Sequence, residues 1–291
     1  DLMHVYFGHT AVHLLPFIRR WPRPVVGSFH GMDVQPRDDQ PGYLKRLREL
    51  LQVLPLVLAR SESLKGRLLA MGCPGEKIRI NRTGIPMESF PRHAREFPGA
   101  GGAWRIVQAC RLIEKKGLDG SLKAFAGFLK RYPGARFSIA GEGPLEESLR
   151  RQAGELGIGE SVDFAGFLSE AALRDLYNEA HIFLHPSRLT ADQNQEGVPN
   201  SMLEAMATGL PVVATRHGGI PEAVAADRAG LLVPERDVEG IETSLLRLAE
   251  QEGLWRSMGE AAADDVREQF EAGAQIAKLE RYYREAIELG K

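Results

Sequence analysis

The stretch EGVPNSMLE, residues 196–204, sets two carboxylates eight positions apart around Gly197, Pro199 and Asn200. Upstream, RLIEKKG at 111–117 offers two cations of the kind that hold phosphate, Arg111 with a planar fork of donors and Lys116 with a mobile point charge. Spacing alone leaves both pairs open: the acids could be solvated surface groups or acceptors of ligand hydroxyls, and the cations could sit in a solvated loop. GEGP, Gly141 to Pro144, is not a dinucleotide fingerprint, because Glu146 stands where that motif needs Gly or Ala; alone it reads as a tight turn. His30, in SFHGMD, taken alone reads as a structural hydrogen-bonding residue, and Asp33 as a helix cap or turn residue. His4, His9 and His13 do not read as a metal cluster, since one would lie on a strand and two on a helix.

Elements that position these groups follow from the apolar pattern. Candidate strands are Leu2 to Phe7, Pro24 to Phe29, Leu54 to Ala59 and Lys77 to Ile80, with helical patterns at Thr10 to Arg20, Gly42 to Leu51 and Ser61 to Met71. A second series has strands near Arg105 to Ala109, Arg136 to Ala140, Ser161 to Phe164, Ile182 to His185, Val212 to Thr215 and Gly230 to Val233. Strands alternating with helices build parallel sheets flanked by helices, whose ligands bind beyond the carboxyl ends of the strands. RLIEKKG, GEGP and the Glu196 loop each follow a strand. Pro199 suits a helix start and Gly209 a helix end, which predicts a helix from about Pro199 to Thr208. Its amino terminus, preceded by Gly197, presents free N–H groups and a positive dipole end to an anion. Glu196, in the loop before it, is better suited to ligand hydroxyls than to phosphate.

The chain has 291 residues, 43% of them hydrophobic, enough for two domains with sizeable cores. A formal charge of -2 with 26% charged residues argues against a general nucleic-acid binder. Two cysteines, Cys73 and Cys110, make no disulfide framework and suit a reducing compartment. With no signal peptide and no apolar run near the ~18 residues of a membrane span, the expectation is a soluble, cytoplasmic protein. Asn81 to Gly102, rich in Pro, Gly, Arg and Glu, reads as a linker. After Asp237 the pattern is helical, with Val266, Phe270, Leu279, Tyr283 and Ile287 spaced to bury one face. The first apolar run begins at Leu2, which leads us to expect further chain upstream.

Taken together, RLIEKKG, GEGP, HPS at 185–187, the Glu196 and Glu204 pair in EGVPNSMLEAMATGLPVVAT, and GGIPE resemble the retaining, nucleotide-sugar-dependent glycosyltransferases of family 4 (group 1). SFHGMDV and INRTGIPMESF resemble most the exopolysaccharide, colanic-acid-type subgroup. The resemblance implies a GT-B fold, two Rossmann-like α/β domains facing a cleft. The implied divisions are a partial N-terminal domain at 1–90, a linker at 91–102, a nucleotide-sugar-binding domain at 103–265 and a C-terminal helix at 266–291 packing back on the first domain. About a third of the first domain is expected to be missing, because the His30-Gly31 segment stands so early. An open sheet edge and self-association are the implied consequences.

The resemblance also implies roles. Arg111 and Lys116 bind the diphosphate and stabilise charge on the leaving nucleotide, Glu204 accepts the ribose hydroxyls, and Glu196 holds hydroxyls of the donor sugar. Backbone around Gly197, Val198, Pro199, Asn200 and Ser201 caps the distal phosphate. Gly141, Glu142 and Gly143, with Gly166, Phe167 and Leu168, frame base and ribose. His30 points across the cleft at the donor sugar and orients a hydroxyl. Transfer retains the anomeric configuration by a front-face route, needs no metal or cofactor, and uses a UDP- or GDP-sugar and a glycan or lipid-linked glycan acceptor in polysaccharide biosynthesis. PFIRRWPRP, with Trp21 among Arg19, Arg20 and Arg23, reads as a solvated helix end or a peripheral contact with the inner face of the membrane. An epimerase of the same fold and a non-catalytic donor-binding fragment are the alternatives. Arg82-Thr83-Gly84-Ile85-Pro86 departs from the family's Asn-Gly-Val-Asp at this linker.

Overall fold

Short runs rich in Val, Ile and Leu suit strands buried on both faces, the condition of a parallel sheet covered by helices. In the computed structural model, which describes residues 1–35, 42–191 and 195–290, ten such runs form two parallel sheets. The first comprises β1 (Met3–Tyr6), β2 (Val25–Phe29), β3 (Leu56–Ala59) and β4 (Ile78–Ile80), paired in that order. Its helices are α1 (Gly8–His13), α2 (Leu15–Ile18), α3 (Tyr43–Val53) and α4 (Glu62–Ala70). The single helix expected over Thr10 to Arg20 is two: Pro16, which has no N–H to continue a helix, sits in the first turn of α2.

The second sheet runs β10-β9-β8-β5-β6-β7, an open order with its switch point between β5 and β8. Its strands are β5 (Arg105–Ala109), β6 (Arg136–Ala140), β7 (Val162–Gly166), β8 (Ile182–His185), β9 (Val212–Thr215) and β10 (Gly230–Val233). The crossovers carry α5 (Leu118–Arg131), α6 (Glu146–Glu155), α7 (Glu170–Glu179), α8 (Asn200–Ala207) and α9 (Ile220–Ala223). One core, including Trp104, Phe125 and Phe137, covers one face; another, including Phe183, Met202 and Phe270, covers the other.

The tail forms three helices rather than one continuous face: α10 (Val238–Glu250), α11 (Glu252–Phe270) and α12 (Ala272–Leu289). Val266 and Phe270 are buried in the second core. Leu279 and Tyr283 pack instead with Val26, Leu56 and Leu58 of the first sheet. Four of the five apolar positions thus serve two domains, because the chain turns at Glu271, whose carboxylate accepts from Gly273 N–H (2.7 Å) and Ala274 N–H (2.6 Å) to cap α12. Segment 81–102 crosses back at the same place: Ile85 N–H donates to Phe270 O (2.7 Å) and Ala272 N–H to Ile85 O (3.1 Å). It is no loose tether, since the Arg95 guanidinium donates to Ala180 O (3.0 Å), Tyr177 O (2.9 Å) and Thr208 O (2.5 Å) of the second domain. Among the described residues no helix is long and apolar enough to cross a membrane.

Candidate active site

Because β8 and β5 are neighbours, the loops at their carboxyl ends meet although they lie 80 residues apart in sequence. Gly117 permits this. It adopts φ 65°, and a Cβ there would stand 2.1 Å from Pro186 O in the HPS segment. Lys115 and Lys116, in the short turn that Gly117 ends, are buried. The Lys116 Nζ donates to Glu196 Oε2, and the Lys115 Nζ lies 3.7 Å from Glu196 Oε1. Each partner of the Lys116–Glu196 pair has a side chain only 11% exposed, so a bare charge here would be expensive. Burial by itself raises the Glu196 carboxyl, but the adjacent Lys116 and Lys115 charges outweigh it and hold the group well below the usual carboxylate range. Glu196 is therefore an anion whose charge the wall itself balances.

His185 is fully buried and its Nε2 lies 3.8 Å from Glu196 Oε2, outside hydrogen-bond reach. Burial, then Lys116, pushes its pKa down to about 4, so the ring is neutral near pH 7. Ser187 Oγ donates to the same carboxylate oxygen at 3.4 Å. Behind the loop, Glu196 N–H donates to His217 Nε2 (3.0 Å), which requires the proton on Nδ1, where it is donated to Glu235 Oε1 (2.7 Å). Glu235 also accepts from Leu189 N–H at 2.8 Å. Gly218 closes this packing: at φ 56° it would put a Cβ 2.1 Å from Glu196 O.

Glu204 lies in the second turn of α8, as the Pro199 start predicts, and is half-buried. Burial, with the charge of Glu170, raises its carboxyl to about 6. The Tyr177 hydroxyl lowers it in part, although that fully buried group stops short of hydrogen-bond geometry with any partner. Among the described residues no cation pairs with this carboxylate, which leaves its oxygens able to accept hydroxyl donors.

The other expected residues divide. Arg111 is exposed at the end of β5. Gly141, Glu142 and Gly143 follow β6 and clasp the cation loop, Leu112 N–H donating to Glu142 O at 2.9 Å. Phe167 is 80% exposed, and the half-buried Leu168 packs against the second core. The Gly166 expected in that loop ends β7. Asn200 and Ser201 open α8 after Pro199, where first-turn N–H groups have no intrahelical acceptor. The Ser201 hydroxyl is committed elsewhere, donating to Ala109 O at 2.6 Å. Gly197 lines the cleft and Val198 packs against the second core.

Across the cleft stands His30, following β2. With Gly31, Arg60, Ser61 and Arg67 it faces Gln195, Glu196 and Gly197 in one cavity. Asp33 is a turn residue, accepting from His30 N–H (2.9 Å), Gly31 N–H (2.8 Å) and Gly8 N–H (2.8 Å) and so fixing the His30 backbone. The His30 Nε2 has no hydrogen-bond partner among the described residues, and burial, then Arg60, pushes its pKa down to about 4. A neutral imidazole with one free nitrogen can take or give one hydrogen bond to a hydroxyl. His4 bridges Tyr283 Oη (2.6 Å) and Ser28 Oγ (2.5 Å), linking β1 to α12. Among the described residues no group of three or more His, Cys, Asp or Glu is placed to hold a metal ion.

The sequence pattern assigns no individual role to Lys115, His185, His217, Glu235, Arg60 or Arg67, although Lys115 and His185 lie within RLIEKKG and HPS. The doubled lysine in EKKG and the His before GGIPE were signals available for two of them.

Comparison with known proteins adds to this geometry. Residues 91–265 match the family described as glycosyl transferases group 1. A protein of Escherichia coli (strain K12) named as a colanic acid biosynthesis glycosyltransferase, WcaL, is 36% identical over 217 residues, 75% of this chain and 53% of its own length. The chain thus spans about half of that relative. A GDP-mannose-dependent alpha-(1-6)-phosphatidylinositol monomannoside mannosyltransferase of Mycolicibacterium smegmatis is 30% identical over 299 residues, 98% of this chain and 78% of its own. Among solved structures, Anabaena Alr3699/HepE in complex with UDP superposes with a TM-score of 0.84 at 19% identity, covering 98% of this chain and 79% of that one. At that identity the likeness concerns fold: two parallel-sheet α/β domains arranged as in GT-B glycosyltransferases.

Proposed function

The chain belongs to the group 1 glycosyl transferases, and from that premise we propose that it moves a sugar from a UDP- or GDP-sugar to a glycan or lipid-linked glycan acceptor in polysaccharide biosynthesis, with retention at the anomeric carbon. The observation that carries the reading is the buried Lys116–Glu196 pair beside the start of α8. In it a cation and a hydroxyl-accepting anion stand together without leaving a net negative charge where phosphate must bind. Lys116, Lys115 and Arg111 then offset charge developing on the departing diphosphate, with the α8 N–H groups on the distal phosphate. Glu204 accepts the ribose hydroxyls and Glu196 those of the sugar. His30 orients a sugar hydroxyl from the opposite domain, and Gly141 to Gly143 with Phe167 border the nucleotide.

Protein cations supply the positive charge in this scheme, so the reaction is proposed to run without a metal; chelation with EDTA should leave the rate unchanged. Calorimetric titration with UDP, GDP and their sugars tests the donor site: if Arg111→Ala and Glu204→Ala leave nucleotide affinity unchanged, the site is wrong. The anomeric configuration of the product, read by NMR, decides retention, and an inverted product removes that part of the proposal.

A further inference from the structure

We propose that Glu222 is a positioning residue that latches the two domains together and ties their closure to the loop carrying Glu196. Glu222 belongs to α9 of the second domain, in the GGIPE segment, yet its carboxylate is spent on the first. Oε2 accepts from Glu62 N–H at 2.7 Å and Oε1 from Ser63 N–H at 2.8 Å, 160 and 159 residues away. These are the first two amides of α4, which no intrahelical carbonyl can satisfy; Ser61 Oγ takes the third, from Leu64, at 3.1 Å. The Arg82 guanidinium donates to Glu222 Oε2 at 2.9 Å, with the two side chains 17% and 15% exposed.

Arg82 comes from the crossover, three residues before the Ile85–Glu271 bridge, and lies over the Phe270 ring at 5.4 Å. One carboxylate therefore joins the second domain, the first domain and the hinge between them.

The same loop grips the donor wall with its other end. His217 Nε2 accepts from Glu196 N–H, and Gly219 N–H donates to Glu196 O at 3.3 Å. Segment 217–222 is short and held at both ends, so opening of the cleft, which withdraws α4 from Glu222, strips the loop of one of its anchors. A carboxylate bonded to two amides and a guanidinium favours the closed arrangement, because opening breaks three charge-assisted hydrogen bonds, each stronger than a neutral one.

Only the kinetic consequence of this latch rests on the proposed sugar transfer. Closure itself is read by spin labels at two exposed positions, Lys45→Cys in the first domain and Glu147→Cys in the second, since burial pushes the native Cys73 thiol up to about 11 and Cys110 to about 12. Pulsed dipolar measurement with and without UDP should give a narrow short distance in the otherwise unchanged chain and a longer, broader one in Glu222→Ala. Arg82→Met should give a smaller shift. Nucleotide affinity should stay within about 2-fold, while kcat falls and acceptor KM rises, each by about 10-fold. A Glu222→Ala distance distribution superimposable on that of the unsubstituted chain overturns the latch. If the unsubstituted chain transfers no sugar, the functional reading fails and the distances still decide the latch.

Discussion

On the second-domain wall of the cleft, Glu196 is held by Lys116, Lys115, Ser187 and the His217–Glu235 pair, whereas on the first-domain wall the His30 Nε2 meets no partner among the described residues. Among the described residues, Arg60 and Arg67 on that side donate to carbonyls at 3.4 Å, Arg82 O and Val34 O. One wall has its charges balanced internally, at a desolvation cost met during folding, and so offers a fixed surface to a ligand. The other keeps unspent hydrogen-bonding capacity, which gains its value once a ligand or the opposite wall arrives. Under the proposed sugar transfer, this contrast predicts that affinity resides in the second domain and alignment of the reacting sugar in the first.

The contrast can be broken most forcefully at Lys116. Lys116→Met leaves Glu196 buried beside a weaker partner and should cost about 3 kcal/mol in urea denaturation, whereas Lys116→Met/Glu196→Gln, which removes both charges, should cost clearly less. Equal losses would mean that the pair is not the organising element of that wall. Next in size, Glu204→Ala should weaken nucleotide binding about 10- to 100-fold, the worth of hydrogen bonds to a charged group. His30→Ala should slow transfer by about 100-fold while nucleotide affinity, measured by calorimetry, stays put. A large affinity loss in His30→Ala would erase the division of labour between the walls.

A pH series sharpens the same point. Glu204 has its carboxyl raised to about 6, and in the proposed role ligand hydroxyls donate to its ionised form, so affinity should be full above that value and be lost as pH falls through it. At pH 5 the loss should be about tenfold, and Glu204→Gln should remove the dependence. His30, lowered to about 4, stays neutral across this window and should add no step. The smallest effect belongs to Glu235→Gln, which weakens the bond orienting His217: about 1 kcal/mol of stability, read from the thermal midpoint, with nucleotide affinity nearly unchanged.

Much of this was legible in the sequence because it is local. Apolar runs marked the ten strands, mostly within a residue or two, since a strand covered on both faces must be apolar throughout. Pro199 and Gly209 bracketed α8, putting Glu196 in a loop and Glu204 in the second turn. Misses have equally local causes or none. Pro16 split one helix, a rule available beforehand. The turn at Glu271, by contrast, rests on packing of Val266 and Phe270 against one domain and Leu279 against the other, which periodicity does not distinguish.

By itself, then, the sequence determined the order of strands and helices, the strand-end loops proposed to carry the chemistry, and the family. Only the tertiary structure decided how those loops are spent. Lys116 meets Glu196 because β8 lies beside β5, His217 reaches the Glu196 amide because β9 lies beside β8, and Glu222 meets Arg82 and α4 because the chain crosses twice between domains. Sheet order and domain placement are set by the summed burial of many side chains, so partners 80 or 140 residues apart leave no mark on the local pattern around either one.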